Sequence, residues 1–168
     1  MYKLLMKIFF LLLYISIAYG QYDHSGYSGE ENREIKSLSN EEILGYLAGQ
    51  GMGFAKAAEL NHYPGPKHVL ELQEQLQLSP EQIKQTKQIY NEMHREAVRL
   101  GKVYVEKERA FDQAFAEEEI DLLKFKDLIS EISGLHALIR IVHLHAHLKM
   151  KQILSPAQVK AYDELRGY

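Results

Sequence analysis

The sequence contains no cysteine and no tryptophan, and it has only four prolines among its 168 residues. The absence of cysteine excludes a disulfide framework, thiolate metal sites, a cysteine nucleophile and a lipid-modified N-terminal cysteine. Any metal site must therefore use histidine, methionine, aspartate or glutamate. With 46% hydrophobic and 26% charged residues, the chain is too apolar for a disordered polymer, and its length suits one helical domain.

The first twenty residues have the features of a secretory signal. Lys3 and Lys7 lie at the start of a short apolar run over residues 8–18, and Ala18 and Gly20 are small residues at the two positions that signal peptidase reads. The run is shorter than the roughly 20 residues that a membrane-spanning helix needs. We therefore predict that residues 1–20 are a cleaved signal peptide and that the mature chain is exported without membrane insertion. An uncleaved anchor is the alternative.

The mature chain is mildly acidic. Because residues 1–20 contain two lysines and no acid, 18 basic and 23 acidic residues remain, which gives a net charge of −5. Basic residues form no block, so a nucleic-acid partner is not expected. Residues 21–37 are polar and aperiodic, which predicts a flexible N-terminal arm with a solvated His24. Residues 38–168 then form the single helical domain.

Short helices are expected before residue 78. Ser39 lies three residues before Glu42, which predicts a capped helix over about residues 40–48. Glycines 49, 51 and 53 interrupt it, and further helices are expected over about 54–60 and 66–77. No strand precedes these glycines and no GK[ST] follows, so we expect close packing of backbone against a helix rather than a phosphate loop.

The most specific feature is a repeated pattern, L-S-P-x-Q, at residues 78–82 and 154–158. In each copy the serine is expected to cap a helix, and the proline occupies a position where its missing N–H costs nothing. The glutamine three residues after the serine can hydrogen-bond back to the cap. The motif residues are Leu78, Ser79, Gln82, Leu154, Ser155 and Gln158.

Two long helices are predicted, over about residues 80–115 and 121–154, with a reversal at 116–120. In both segments apolar residues recur at alternating steps of three and four, as in helices packed along a seam. Each helix would be roughly 50 Å long, so we expect an elongated all-α hairpin. The second seam comprises Leu122, Phe125, Ile129, Ile132, His136, Ile139, His143, Ala146, Met150 and Ile153.

The second long segment carries more apolar residues than one seam needs. Leu138, Ile141 and Leu148 lie outside it, so the apolar surface extends well round the helix. The short N-terminal helices can cover part of this surface. A second copy of the chain is the simplest way to cover the rest of this apolar surface, which predicts a homodimer.

The two motifs, in an all-helical chain with an export signal, resemble the Spy/CpxP family of periplasmic proteins. The shared motif of that family is leucine, threonine, two variable residues and glutamine; serine replaces threonine in both copies here and keeps the capping hydroxyl. The resemblance covers about residues 69–168. GMGxAxxAELNxYPGPxHVLEL at 51–72 and LRGY at 165–168 are similar to one branch of the group.

The resemblance implies a periplasmic, long and kinked helical hairpin that pairs with a second copy. Some members are ATP-independent chaperones that hold client proteins, and others modulate envelope-stress signalling. A related branch, which includes the nickel and cobalt sensor CnrX and the zinc-binding ZraP, has metal sites. The present chain departs from the chaperones because its mature form is acidic and carries an N-terminal extension with the YPGP turn.

Five of the eight histidines fall on the predicted long helices. His143 and His147 are four residues apart and therefore share a helix face, the spacing at which two imidazoles reach one metal ion. A reversal near Glu118 sets His94 beside them as a third ligand. Such a set suits zinc, nickel, cobalt or copper without choosing among them. The alternative is a packed seam in which His136 and His143 are buried core residues. The five are His94, His136, His143, His145 and His147.

No enzymatic site is expected. Ser79 and Ser155 are explained as caps, other serines lack an activating motif, and Glu108 is expected to pair with an arginine or lysine. Three non-enzymatic hypotheses follow. The first is a periplasmic chaperone or stress modulator that binds unfolded or partner proteins. The second is a heavy-metal sensor or metal-binding protein that uses the helix histidines. The third is a signalling partner of a membrane sensor kinase.

Overall fold

The computed structural model describes residues 26–168. The predicted signal peptide and residues 21–25 of the predicted arm, with His24, lie outside the described residues. The chain divides into two compact units, one up to Arg33 and one from Glu34 to Tyr168. The described part of the first unit holds a short 3-10 turn, Glu30–Asn32, with an ion pair between Arg33 and Glu30 at 2.8 Å.

The second unit is all-helical, as predicted. Residues 26–168 include no β-strand, only an isolated bridge between Ile35 and Leu38. In the same range, no helix is both long and apolar enough to cross a membrane. The helices are α1 (Asn40–Leu47), α2 (Lys56–Glu59), α3 (Pro66–Glu71), α4 (Pro80–Ala116), α5 (Leu122–Ile153) and α6 (Pro156–Arg166).

The three helix starts predicted from serine caps are confirmed. Ser39, Ser79 and Ser155 each accept a hydrogen bond from the backbone N–H three residues later, and the side chain at that position bonds back to the cap backbone. This reciprocal arrangement satisfies N–H groups that a helix start leaves free. Prolines occupy the first positions of α3, α4 and α6, where no N–H is needed.

The two L-S-P-x-Q motifs meet in space through their glutamines, which the sequence did not show. Gln82 Nε2 donates to Gln158 Oε1 at 2.9 Å, and Gln158 Nε2 donates to Gln82 Oε1 at 3.1 Å. Each amide also donates to a backbone carbonyl, of Ile153 and Leu76 respectively, at 3.0 and 3.2 Å. Each Oε1 accepts in addition from the N–H of its own capping serine. Both amides thereby use all their donors and acceptors.

Helices α4 and α5 pack together as the predicted hairpin. The reversal falls at residues 117–121, where Glu118 has a positive φ of 56° and Asp121 caps α5 by accepting from the N–H groups of Leu123 and Lys124. Ion pairs between Lys149 and Glu92 and between Lys107 and Glu131 link the two helices. At about 1.5 Å per residue, the 37-residue α4 is roughly 55 Å long.

Helix α1 packs closely against α4 at a glycine. A Cβ on Gly101 would lie 2.1 Å from the backbone oxygen of Tyr46, so no larger residue fits there without separating the helices. Gly49 shows the backbone packing expected of the glycine-rich segment, because its Cβ would lie 2.9 Å from Val98 of α4 and its φ is +61°. Gly51 and Gly53 have no such neighbour.

The core consists of two clusters of buried side chains. The first joins α1 to the middle of α4 and α5, and the second surrounds the two motifs where α3, α4, α5 and α6 come together. Buried members of the first are Ile35, Leu38, Ile43, Tyr46, Phe54, Leu100, Tyr104, Val105, Ile132 and Ile139. Buried members of the second are Val69, Leu76, Leu78, Ile89, Ala146, Met150, Leu154, Val159 and Tyr162.

Two predicted short helices are shorter than expected. Helix α2 starts at Lys56 rather than at about 54, because Gly53 adopts a φ of +80° and Phe54 turns into the first core cluster. Helix α3 ends at Glu71 rather than at about 77. The following turns let both Leu76 and Leu78 be buried, and Gln77 between them takes a positive φ of 49°.

Three details of the predicted packing are wrong. Leu122 and Phe125 of the expected seam are exposed, although the Phe125 ring lies 6.1 Å from that of Phe111 on α4. His136, expected in the core, is also exposed, although its ring lies 5.1 Å from that of Phe54. Among residues 26–168, Glu108 pairs with no arginine or lysine; it accepts hydrogen bonds from Ser37 Oγ at 2.8 Å and from Tyr104.

The boundary between the predicted flexible arm and the domain stays a prediction. Ile35, two residues before the predicted boundary, is fully buried in the first core cluster. Burial of Tyr104 and its hydrogen bond to Glu108 raise the pKa of that phenol, which keeps the tyrosine neutral. The Ser37–Glu108 bond therefore ties the end of the predicted arm to a buried polar network.

Candidate metal-binding cleft

The three predicted ligand histidines line one cleft of about 710 Å³. One wall is the glycine-rich segment between α1 and α2, and another is the YPGP turn at the start of α3. His94 comes from α4, and His143 and His147 come from α5. The structure thus brings His94, His143 and His147 to one site, as the hairpin register predicted.

His143 has the most unusual environment of the three. It is 3% exposed, its ring stacks on Phe54 at 5.9 Å between centroids, and its Nε2 is buried with no hydrogen-bond partner among residues 26–168. Burial, with smaller contributions from His147 and His94, lowers the pKa of His143 from 6.5 to about 4. The imidazole is therefore neutral near pH 7. A buried nitrogen without a partner is costly, so this atom calls for a functional explanation.

His147 is held with its second nitrogen available. Its Nδ1 donates to the backbone oxygen of Tyr63 at 2.7 Å, and Glu59 Oε2 lies 3.5 Å from the same atom. A neutral imidazole that donates from Nδ1 carries its lone pair on Nε2, the form in which metal-binding histidines are usually oriented. Gly65 allows this placement, because a Cβ there would lie 3.1 Å from Nε2.

His94 is oriented in the opposite sense. Its Nε2 donates to the backbone oxygen of Ala48 at 3.1 Å, so the lone pair lies on Nδ1. Its ring stacks on Tyr90 at 5.7 Å. The carbonyl at the end of α1 thus fixes which nitrogen of His94 carries the lone pair.

These groups fit a transition metal better than a hard cation. Neutral imidazoles suit zinc, copper, nickel and cobalt, and the thioethers of Met52 and Met93, which also line the cleft, suit the softer ions. No group of three histidine, aspartate or glutamate side chains within residues 26–168 already stands at metal-binding spacing. Coordination by all three histidines therefore requires side-chain adjustment.

Sequence reasoning missed an acidic residue at the edge of the cleft. Glu59 is only 12% exposed at its side chain, and its Oε1 accepts from the hydroxyls of Tyr162 and Tyr168 at 2.5 and 3.1 Å. Arg166 Nε lies 3.4 Å from the same oxygen. One signal for this site was present in the sequence. Glu59 lies in the 51–72 segment and Arg166 and Tyr168 lie in LRGY, and both of these patterns are similar to the same branch of the Spy/CpxP group.

The remaining histidines of the described chain have other partners or face solvent. His62 contacts Asp163 at 2.9 Å, and His68 contacts Glu71 at 2.8 Å. His145 is exposed on α5. His68 also borders the cleft, but its Nδ1 is engaged by Glu71.

A family model described as heavy-metal resistance matches residues 43–161, which is well over half of the chain. The chain belongs to the heavy-metal resistance family. This confirms the resemblance to the Spy/CpxP group and its metal-sensor branch. The family match spans both L-S-P-x-Q motifs, Glu59 and all three cleft histidines but ends before Arg166 and Tyr168. No curated protein and no solved structure gives a significant match to this heavy-metal resistance family member.

Proposed function

We propose that this chain is an exported, periplasmic, non-enzymatic protein that binds a divalent transition metal in the cleft between α4 and α5. His143 and His147 are the primary ligands, and His94 is the third. The observation that carries the proposal is the buried Nε2 of His143, which has no partner among the described residues and belongs to a side chain that lines one cleft with two further imidazoles. Family membership supports the same chemistry.

Hydrogen bonds prepare two of the three ligands before metal arrives. The Tyr63 carbonyl leaves the Nε2 lone pair of His147 free, and the Ala48 carbonyl leaves the Nδ1 lone pair of His94 free. The depressed pKa of His143 keeps it neutral, so no proton has to be displaced near pH 7. The metal would cross-link α4 to α5 and thereby stabilise the hairpin.

Calorimetric titration of residues 21–168 with zinc, nickel, cobalt and copper tests this function. We expect at least one ion to bind with one-to-one stoichiometry, and His143→Ala to weaken that binding by tenfold or more. His145→Ala is the matched control, because it removes an exposed imidazole from the same helix. Failure of all four ions to bind, or equal binding by the two variants, would refute the metal site.

A second function, an ATP-independent chaperone or stress modulator, is favoured by exposed apolar side chains. Leu122 and Leu123 are each 70% exposed at the start of α5, close in sequence to exposed Phe115. Exposed apolar patches commonly mark surfaces that bind other proteins, such as unfolded clients or a membrane sensor protein. Suppression of aggregation of several unfolded clients tests it. Unchanged suppression by a Leu122→Ser/Leu123→Ser variant would count against these residues as the binding surface.

A further inference from the structure

We propose that Glu59 couples the occupancy of the metal cleft to the position of the segment 166–168, so that metal binding releases this segment. The inference rests on the proposed metal-binding function and adds a regulatory output to it. The carboxylate of Glu59 faces the cleft histidine His147 on one side and the end of α6 on the other.

The two oxygens of Glu59 have different partners. Oε2 faces His147 Nδ1 at 3.5 Å, whereas Oε1 takes the hydroxyls of Tyr162 and Tyr168 and lies 3.4 Å from Arg166 Nε. Tyr162 is fully buried and receives the N–H of Gly65 at 3.3 Å. Tyr162 therefore fixes the carboxylate, and the weaker contacts to Arg166 and Tyr168 hold the segment 166–168 against it.

A cation bound at His147 Nε2 changes the balance at Glu59. The Nδ1–H of His147 stays with the Tyr63 carbonyl, but a bound metal adds positive charge to the imidazole whose Nδ1 lies 3.5 Å from Glu59 Oε2, and this charge attracts the carboxylate. The same positive charge repels the Arg166 guanidinium, because Arg166 and Tyr168 line the cleft. Metal-bound His147 and Arg166 therefore compete for one carboxylate, and His147 is the better buried of the two, with a side chain 10% exposed against 32% for Arg166.

The segment 166–168 forms the end of α6 and its cap. Helix α6 ends at Arg166, and Gly167 follows in the left-handed conformation with a φ of +80°. Tyr168 is 46% exposed, and its backbone N–H bonds only locally, to Asp163 at 3.0 Å. Releasing Arg166 and Tyr168 from Glu59 thus breaks two polar contacts without opening either core cluster.

Coupling of this kind is reciprocal, so it can be measured from either side. Arg166→Gln removes the competing charge and should tighten Zn²⁺ binding about fivefold to tenfold, within the usual range of such couplings. Arg166→Lys keeps a positive charge and should restore most of the wild-type affinity. Lys160→Gln is the matched control, since it removes one positive charge from the exposed face of the same helix and should leave affinity unchanged.

Hydrogen–deuterium exchange of the full chain gives the second readout. We expect saturating Zn²⁺ to increase exchange of the Gly167 and Tyr168 amides several-fold and to slow exchange in α5 around His143 and His147. Glu59→Gln should retain most of the Zn²⁺ affinity and lose the change at residues 167–168. Circular dichroism of Glu59→Gln checks that the variant is folded.

The outcomes separate the two proposals. The coupling would be overturned if Zn²⁺ caused no change in exchange at residues 167–168 and Arg166→Gln bound Zn²⁺ with wild-type affinity. The metal site would still stand if Zn²⁺ binding depended on His143. Absence of Zn²⁺ binding would overturn both for this ion. Slower exchange at residues 167–168 on Zn²⁺ addition would mean that the metal holds this segment in place, which contradicts the proposed release.

Discussion

At the scale of single residues, His143 shows how position gives an ordinary side chain an unusual property. It follows the same seam as Ile139 and Ala146, and all three are buried. The first core cluster supplies Phe54 as a stacking partner for the ring, but no residue in the described chain supplies a donor or acceptor to Nε2. The core and ligand interpretations of His143 are therefore compatible: the residue is buried and also has an unused nitrogen.

The metal-free protein should lose stability as the pH falls because of His143. Its pKa is about 4 in the folded chain and 6.5 as the ordinary value, so between these values the unfolded chain binds more protons and acid favours unfolding. The stability that neutral His143 contributes is complete above pH 6.5, and it is lost progressively as the pH falls to 4. Urea denaturation in EDTA should show about 2–3 kcal/mol less stability at pH 4.5 than at pH 7 from this residue.

The His143→Leu variant isolates this contribution. We expect its stability to change less over the same pH range, because the leucine cannot take up a proton. His145→Gln is the matched control, because it removes an exposed imidazole from the same helix. If all three proteins had the same pH dependence, His143 would not be the group responsible.

At the scale of helices, the two L-S-P-x-Q copies do more than cap one helix each. One copy would suffice to cap one helix. Two copies allow the capping amides of α4 and α6 to hydrogen-bond to each other and to the chain that precedes the other motif. The starts of these two helices are joined by side chains that also cap them.

Gln82→Glu should separate the inter-motif bond from the cap. Glutamate at this position still supports the capping serine, but it has no N–H groups to give to Gln158 and the Ile153 carbonyl. We expect a loss of about 1–2 kcal/mol of unfolding free energy. Gln88→Glu, on an exposed face of α4, is the control and should change stability by less than about 0.5 kcal/mol. Equal effects of the two changes in thermal denaturation would contradict the pairing.

At the scale of the whole molecule, burial is unevenly distributed along the hairpin. The part of α5 near the motifs packs on three other helices, whereas the start of α5 and one further stripe are uncovered. Leu138, Ile141 and Leu148 form that stripe and are each about half exposed. Such a stripe at helical spacing is typical of a surface that pairs with another helix.

The homodimer expected from the sequence remains a prediction, and this stripe is where we expect it to form. Leu138→Glu should shift the mass measured by light scattering towards the monomer, because a charge would be buried at the contact. Ser133→Glu, which adds the same charge to an exposed position off the stripe, should leave the mass unchanged. A monomeric wild-type chain at micromolar concentration would contradict the prediction.

Sequence periodicity and capping patterns were sufficient for the long helices. Pro80–Ala116 and Leu122–Ile153 lie within about one residue of the predicted bounds, because serine caps, proline at the first position and a sustained apolar seam all act locally. The same local rules failed for α2 and α3. There, burial of Phe54, Leu76 and Leu78 outweighed helix propensity and ended the helices early.

The sequence by itself determined the helical class, the hairpin register and the three histidines that share a cleft, since these follow from spacing along the chain. The tertiary structure decided the pairing of Gln82 with Gln158, the exposure of His136 and the place of Glu59 between His147 and Arg166. These features depend on residues 70 to 110 positions apart, or on which helix covers a given face. Local spacing carries no information about such contacts, because they form only when the core has fixed how the helices pack.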